Sequence, residues 1–103
     1  MEQRIEIFKK MLEEDPSNSM VLFGLANEYQ KCGDWHEVVA TLRRYLDIHD
    51  DEGAAYGMLA RALENIGDSL GACNALREGI AAATRHGHPS MAVEFKAELE
   101  RFG

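Results

Sequence analysis

Leu25 and Leu59, Ala26 and Ala60, Gly33 and Gly67, Asp34 and Asp68, and Leu42 and Leu76 are all separated by the same 34 residues. A fixed period of this size, carried on helical patterning, marks a repeat in which each unit is one supersecondary element. Such a unit cannot bury its apolar face alone, and stacking on a neighbour does it instead. The register therefore points to a stacked scaffold that binds, with chemistry a remote second.

The helical period runs through the whole chain, and strand-like alternation is nearly absent. A first helix is predicted over about Glu2–Glu14, with Ile5, Phe8, Met11 and Leu12 on one face. Pro16 stops it. The second helix is expected from about Ser19 to Lys31, capped by Ser17 or Asn18, with Leu22, Leu25, Ala26 and Tyr29 as its stripe. Gly33 ends it in a left-handed turn. Asp34 then opens a third helix to about His49, with Glu37 at capping-box spacing and Val38, Val39, Leu42, Tyr45 and Leu46 buried. The same two-helix unit follows again. Glu52–Asn65 presents Tyr56, Leu59, Ala60 and Leu63, Gly67 and Asp68 repeat the punctuation, and Ser69–Arg85 presents Ala72, Leu76 and Ile80. Gly87 breaks that helix, and Pro89 suits the first turn of a last one, about Pro89–Phe102, with Met91, Ala92, Val93, Phe95, Leu99 and Phe102 apolar. Short connections between six helices imply antiparallel neighbours, and 103 residues suffice for one domain with one small continuous core.

The formal net charge of −7 makes phosphate backbones and anionic lipid poor partners, so neither nucleic acid nor a membrane is expected. No apolar run approaches the roughly 18 residues a bilayer span needs. Met1-Glu2-Gln3-Arg4 is polar and leads into an amphipathic helix, so no signal peptide is read and the cytoplasm is the expected compartment. Cys32 and Cys73 read as reduced thiols acting as small hydrophobes.

The residues at these positions resemble the tetratricopeptide repeat, whose 34-residue helix-turn-helix carries small and aromatic residues at fixed places. Ser19–Glu52 would be the first full repeat, carried by Leu22, Leu25, Ala26, Tyr29, Gly33, Asp34, Trp35 and Leu42. Gly53–His86 would be the second, carried by Tyr56, Leu59, Ala60, Leu63, Gly67, Asp68, Ala72 and Leu76. Met1–Asn18 fits the second helix of a preceding repeat, with Phe8, Met11, Leu12 and Pro16 in register, and Gly87–Gly103 fits a terminal capping helix. The resemblance implies a small, bacterial-type member of two and a half repeats, folded as a right-handed α-α superhelix. Val38, Tyr45 and Gly79 replace alanines common in the family, and Asp50 and His86 replace its closing proline.

The resemblance also implies a concave groove lined by the first helix of each repeat, where peptides commonly bind. The register assigns Met20, Phe23, Asn27, Gln30 and Lys31 to it from one repeat, and Gly57, Arg61, Glu64 and Asn65 from the next. Met91 and Phe95 of the last helix are expected to face the same channel. Asn27 and Arg61, one period apart, offer amide and guanidinium donors to a peptide backbone or carboxylate. Phe23 offers an apolar floor, and Gly57, its counterpart, leaves room. The chaperone-tail clamp of some relatives is not expected, since Phe23 and Met58 stand where it needs lysine and asparagine.

No other constellation carries chemistry. His86-Gly87-His88 lacks a third metal ligand, so no metal is expected. Glu13-Glu14-Asp15 and Asp50-Asp51-Glu52 read as solvated charge, the second also favouring the positive end of the helix that follows. No phosphate-cradling glycine loop or grouped nucleophile is present, so neither a cofactor nor catalytic residues are expected. Trp35 reads as packing between helices. The expected function is a protein-interaction module holding a partner segment in the groove. The alternative is a structural module that associates with itself, because Ile7 lies at the rim of the first helix's apolar face and a symmetric homodimer would cover it.

Overall fold

The computed structural model describes residues 2–102, the side chain of Glu2 excepted. Met1 and Gly103, the outer limits of the expected first and last segments, lie outside the described residues. Among the described residues there are six helices and no strand: α1 Glu2–Glu14, α2 Ser19–Cys32, α3 Trp35–Ile48, α4 Ala54–Asn65, α5 Ser69–Arg85 and α6 Pro89–Glu100. The chain divides into two compact units, one up to His49 with α1–α3 and one from Asp50 with α4–α6.

In the first unit α2 is central and packs on both α1 and α3. Its stripe of Leu22, Leu25, Ala26 and Tyr29 is buried with Ile5 and Leu12 of α1 and Val38, Leu42 and Tyr45 of α3. The Phe8 ring lies 3.3 Å from where a Cβ on Gly24 would stand. Met11, expected on the buried face of α1, is exposed. Asn18 caps α2, its side chain accepting from Val21 N–H at 3.2 Å. At the other end Gly33 (φ 71°) sits in the left-handed region, where a Cβ is penalised. There Gly33 N–H donates to Gln30 C=O and Asp34 N–H to Tyr29 C=O.

The second unit repeats this punctuation one period on: Gly67 (φ 84°) N–H donates to Glu64 C=O and Asp68 N–H to Leu63 C=O. Here α5 is central, packed on α4 and α6. Its core is built largely of small residues, Ala55, Ala60, Ala62, Ala72, Ala75, Ala82 and Ala83, around Leu59, Leu63 and Leu76. Small side chains allow helices to approach closely, and α6 adds bulk through Phe95.

Three local expectations are corrected. The capping box at Asp34 does not form: its side chain makes no cap bond, and Glu37 is engaged by the Tyr29 hydroxyl instead. Its counterpart Asp68 does cap, accepting from Gly71 N–H at 2.8 Å. α4 starts at Ala54 rather than Glu52, because the Asp51 carboxylate accepts from both Gly53 N–H (2.8 Å) and Ala55 N–H (2.9 Å). α6 ends at Glu100 rather than Phe102, its last turn tightened by Arg101 N–H donating to Glu98 C=O and Phe102 N–H to Leu99 C=O.

Candidate partner-binding faces

Met20, Phe23, Asn27, Gln30 and Lys31 are spaced three and four apart on α2, so they form one stripe. Met20 is 84% exposed, Phe23, Asn27 and Gln30 are half-buried, and Lys31 is exposed. Lys31 is not a free cation. Its Nζ lies 3.2 Å from Glu28 Oε2, and Arg4 Nε approaches the same oxygen at 3.8 Å. These two cations compensate a carboxylate buried on α2.

At the start of the stripe, α3 adds two aromatic groups that the sequence reading did not assign to the site. The Phe23 and Tyr45 ring centroids are 5.2 Å apart with planes tilted by 50°. Tyr45 and His49 follow at 5.0 Å and 32°. With Ser19 and Met20 these rings line an open depression of about 320 Å³. The available signal was the spacing of Tyr45 and His49, four apart and therefore stacked on one helix face.

The same register positions in the second unit behave differently. One period after Ser19, Met20, Phe23, Tyr45 and His49 stand Gly53, Ala54, Gly57, Gly79 and Ala83, all small. Into that small-residue seat α6 inserts two of its own side chains. The Phe95 ring lies 2.9 Å from where a Cβ on Gly57 would stand, and equally 2.9 Å from one on Gly79. Met91 places its Sδ 2.5 Å from the Cβ position of Gly53. The room expected at Gly57 is therefore taken: Gly57 and Phe95 are brought together as packing partners, and Phe95 is buried. Arg61, Glu64 and Asn65 are exposed on α4. Asn65 Nδ2 donates to Arg61 C=O at 2.8 Å, which engages the amide within its own helix, and Glu64 lies 4.0 Å from Arg101.

In the acidic run at 50–52, Asp50 and Glu52 are exposed as expected, but each also makes specific contacts, and Asp51 alone departs from solvated charge. Asp50 accepts from Arg85 Nη2 at 2.8 Å and meets His86 Nε2 at 3.0 Å, while Glu52 meets His88 Nε2. The Arg85 guanidinium, with a smaller contribution from His86, holds the Asp50 carboxyl below the usual carboxylate range. His88 does the same for Glu52. Asp51, between them, is buried as the cap of α4. The two histidines thus serve the connection between α3 and α4. Among the described residues no three His, Cys, Asp or Glu side chains are placed to hold a metal ion. Cys32 is an exposed free thiol, not a buried hydrophobe, and Cys73 is half-buried and free. No described helix is long and apolar enough to cross a membrane.

Comparison with known proteins agrees with this arrangement. A family model described as tetratricopeptide repeat matches residues 5–63, from α1 through most of α4. The TPR repeat-containing protein PA0015 of Pseudomonas aeruginosa is 30% identical over 97 residues, covering 94% of this chain and 92% of its own. The solution structure of protein BPP2914 from Bordetella parapertussis superposes with a TM-score of 0.77 at 28% identity, over 95% of this chain and 85% of that one. A crystal structure of MamA shares the fold at 22% identity, with a TM-score of 0.72 over 95% of this chain and 66% of its own. With the matched segment taking in more than half of the sequence, the chain belongs to the tetratricopeptide repeat family.

Proposed function

We propose that this protein is a non-enzymatic interaction scaffold that holds a segment of a partner protein along the first-helix faces of its repeats. Folds of this family mediate protein–protein contact, and the chain shares that fold. The observation that carries the finer reading is the open depression floored by Phe23, Tyr45 and His49, with Met20 standing exposed at its rim. Exposed apolar surface beside aromatic rings is what a partner's side chain displaces water from. Asn27 and Gln30 continue the stripe with amides able to pair with a peptide backbone. On the second unit, considered by itself, Arg61, Glu64 and Asn65 stand exposed on α4 as the candidate contact face, while Gly57, Met91 and Phe95 hold α6 in place.

Panning a random peptide library against the folded protein tests this. Selected peptides should lose binding to Met20→Asp and Phe23→Ala, and lose part of it to Asn27→Ala. Binding that survives the Met20 and Phe23 substitutions would remove the α2 face from the account.

A further inference from the structure

α1 in the first unit and α6 in the second leave uncovered the very register positions that α2–α5 bury. α1 follows the register of α3 and α5: Phe8 and Leu12 stand 34 residues before Leu42 and Leu46. Ile7 on α1 is 53% exposed, while its counterparts Thr41 and Ala75 are 5% and 2% exposed. Met11 is likewise exposed, where Tyr45 and Gly79 are buried. α6 follows the register of α2 and α4. Val93 is 63% exposed, against 3% and 5% for Leu25 and Leu59. Ala97 is exposed, where Tyr29 and Leu63 are buried.

The two uncovered faces also carry opposite charge at matched places. α2 packs on α3 and α4 on α5, and there Ala26 and Val38, and one period on Ala60 and Ala72, are each buried. The corresponding residues are Glu94 of α6 and Arg4 of α1, both exposed. In the single chain Arg4 lies over the Phe8 ring and reaches Glu28 only at 3.8 Å, with its side chain 64% exposed.

From this we infer that α6 of one copy docks on α1 of a second copy, the two helices completing between them one further helix pair of the repeat. Val93 and Ala97 meet Ile7 and Met11, and the Glu94 carboxylate pairs with the Arg4 guanidinium. Glu94 and Arg4 are larger than the alanines and valine they replace, so this pair sits wider than those within each unit and seals its rim with an ion pair. The contact is heterologous: each dimer keeps one free α1 and one free α6, and association grows with concentration. It requires nothing of the peptide-binding reading and does not use Met20 or Phe23.

Sedimentation velocity over about 10 μM to about 1 mM tests the inference, on a scale where weak heterologous contacts register. The wild type should gain mass with concentration. Val93→Asp should raise the dissociation constant at least about tenfold, as expected for a charge with no partner at an interface. Glu94→Arg and Arg4→Glu should each stay monomeric, because each sets like charges face to face. An equimolar mixture of those two variants should associate, since each supplies the charge the other lacks. Circular dichroism checks that each remains folded. Should Arg4→Glu unfold through loss of its contact with Glu28, Val93→Asp and Glu94→Arg decide the matter alone, both lying on the exposed face of α6. A wild type monomeric throughout overturns the inference. Association that survives both α6 variants but falls with Ile7→Asp also overturns it, in favour of a symmetric dimer through α1.

Discussion

Removing the Phe95 ring should reverse the sign of a second substitution at Gly57. The ring is held on two sides, at 2.9 Å from the Cβ positions of both Gly57 and Gly79, so it has nowhere to step. Phe95 and Ala92 are the buried residues of α6, and Phe95 is much the larger of the two. Phe95→Ala should cost about 3–5 kcal/mol, a loss of transfer energy plus a cavity that two glycines cannot refill. For a chain of this size that lowers the melting temperature by roughly 12–20 °C. Gly57→Ala alone places a methyl group against the ring. Overpacking costs about 1–3 kcal/mol, and because the ring is also blocked on the Gly79 side the cost here lies above the low end of that range and exceeds the gain of about 1 kcal/mol from replacing a mid-helix glycine. In the Phe95→Ala background the clash is gone and only the gain remains, so Gly57→Ala should there stabilise by about 1 kcal/mol. Urea denaturation of the four proteins, followed by circular dichroism, gives the coupling directly. If Gly57→Ala stabilises both backgrounds, the ring does not press on Gly57 and the account of α6 as a wedged helix fails.

Other consequences are simpler to state. Asp50 and Glu52 have folded-state values lowered by Arg85 and His88, so the unfolded chain binds protons more readily in acid and stability rises with pH. Their contribution is therefore complete above the ordinary carboxylate range and fades as pH falls through the lowered values. Asp50→Asn with Glu52→Gln should flatten the denaturation midpoint against pH in the acid limb, and an unchanged slope would refute the contacts. Asn18→Ala should cost about 1 kcal/mol through the lost α2 cap, whereas Asp34→Ala, which removes no cap bond, should cost measurably less in the same melts. Gly53→Ala should be worse than Gly33→Ala, because both impose a Cβ at positive φ but only Gly53 also meets Met91 Sδ at 2.5 Å. Equal losses in thermal melts would contradict that difference.

The fold was legible because its determinants are local and repeated. Leu25 and Leu59, Ala26 and Ala60 set the buried stripes, and Gly33 and Gly67 fix turns whose hydrogen bonds recur 34 residues apart. What escaped the reading is decided by partners distant in sequence. Three adjacent acids at 50–52 carry no mark showing that Asp51 turns inward to cap α4 while Asp50 and Glu52 reach residues about 36 positions away. Asp34 and Asp68 occupy the same register position, yet only Asp68 caps, and Glu37 is drawn to Tyr29. The candidate site divides in the same way. Met20, Phe23 and Asn27 could be assigned to one stripe by helical spacing alone. That Tyr45 and His49 complete an open seat, while Gly57 and Gly79 receive Phe95, depends on which neighbour arrives, and helical spacing does not encode that.

Methyl NMR of the methionines offers the most direct test of the central claim, that the seat on α2 and α3 takes a partner while its counterpart on α4 and α5 is closed by α6. On saturation with a library-selected peptide, the methyl of Met20, exposed at the open seat, should shift or broaden, and that of Met91, packed at Gly53, should stay in place. A silent Met20 with a moving Met91 would show that partners enter by displacing α6, and would contradict the account.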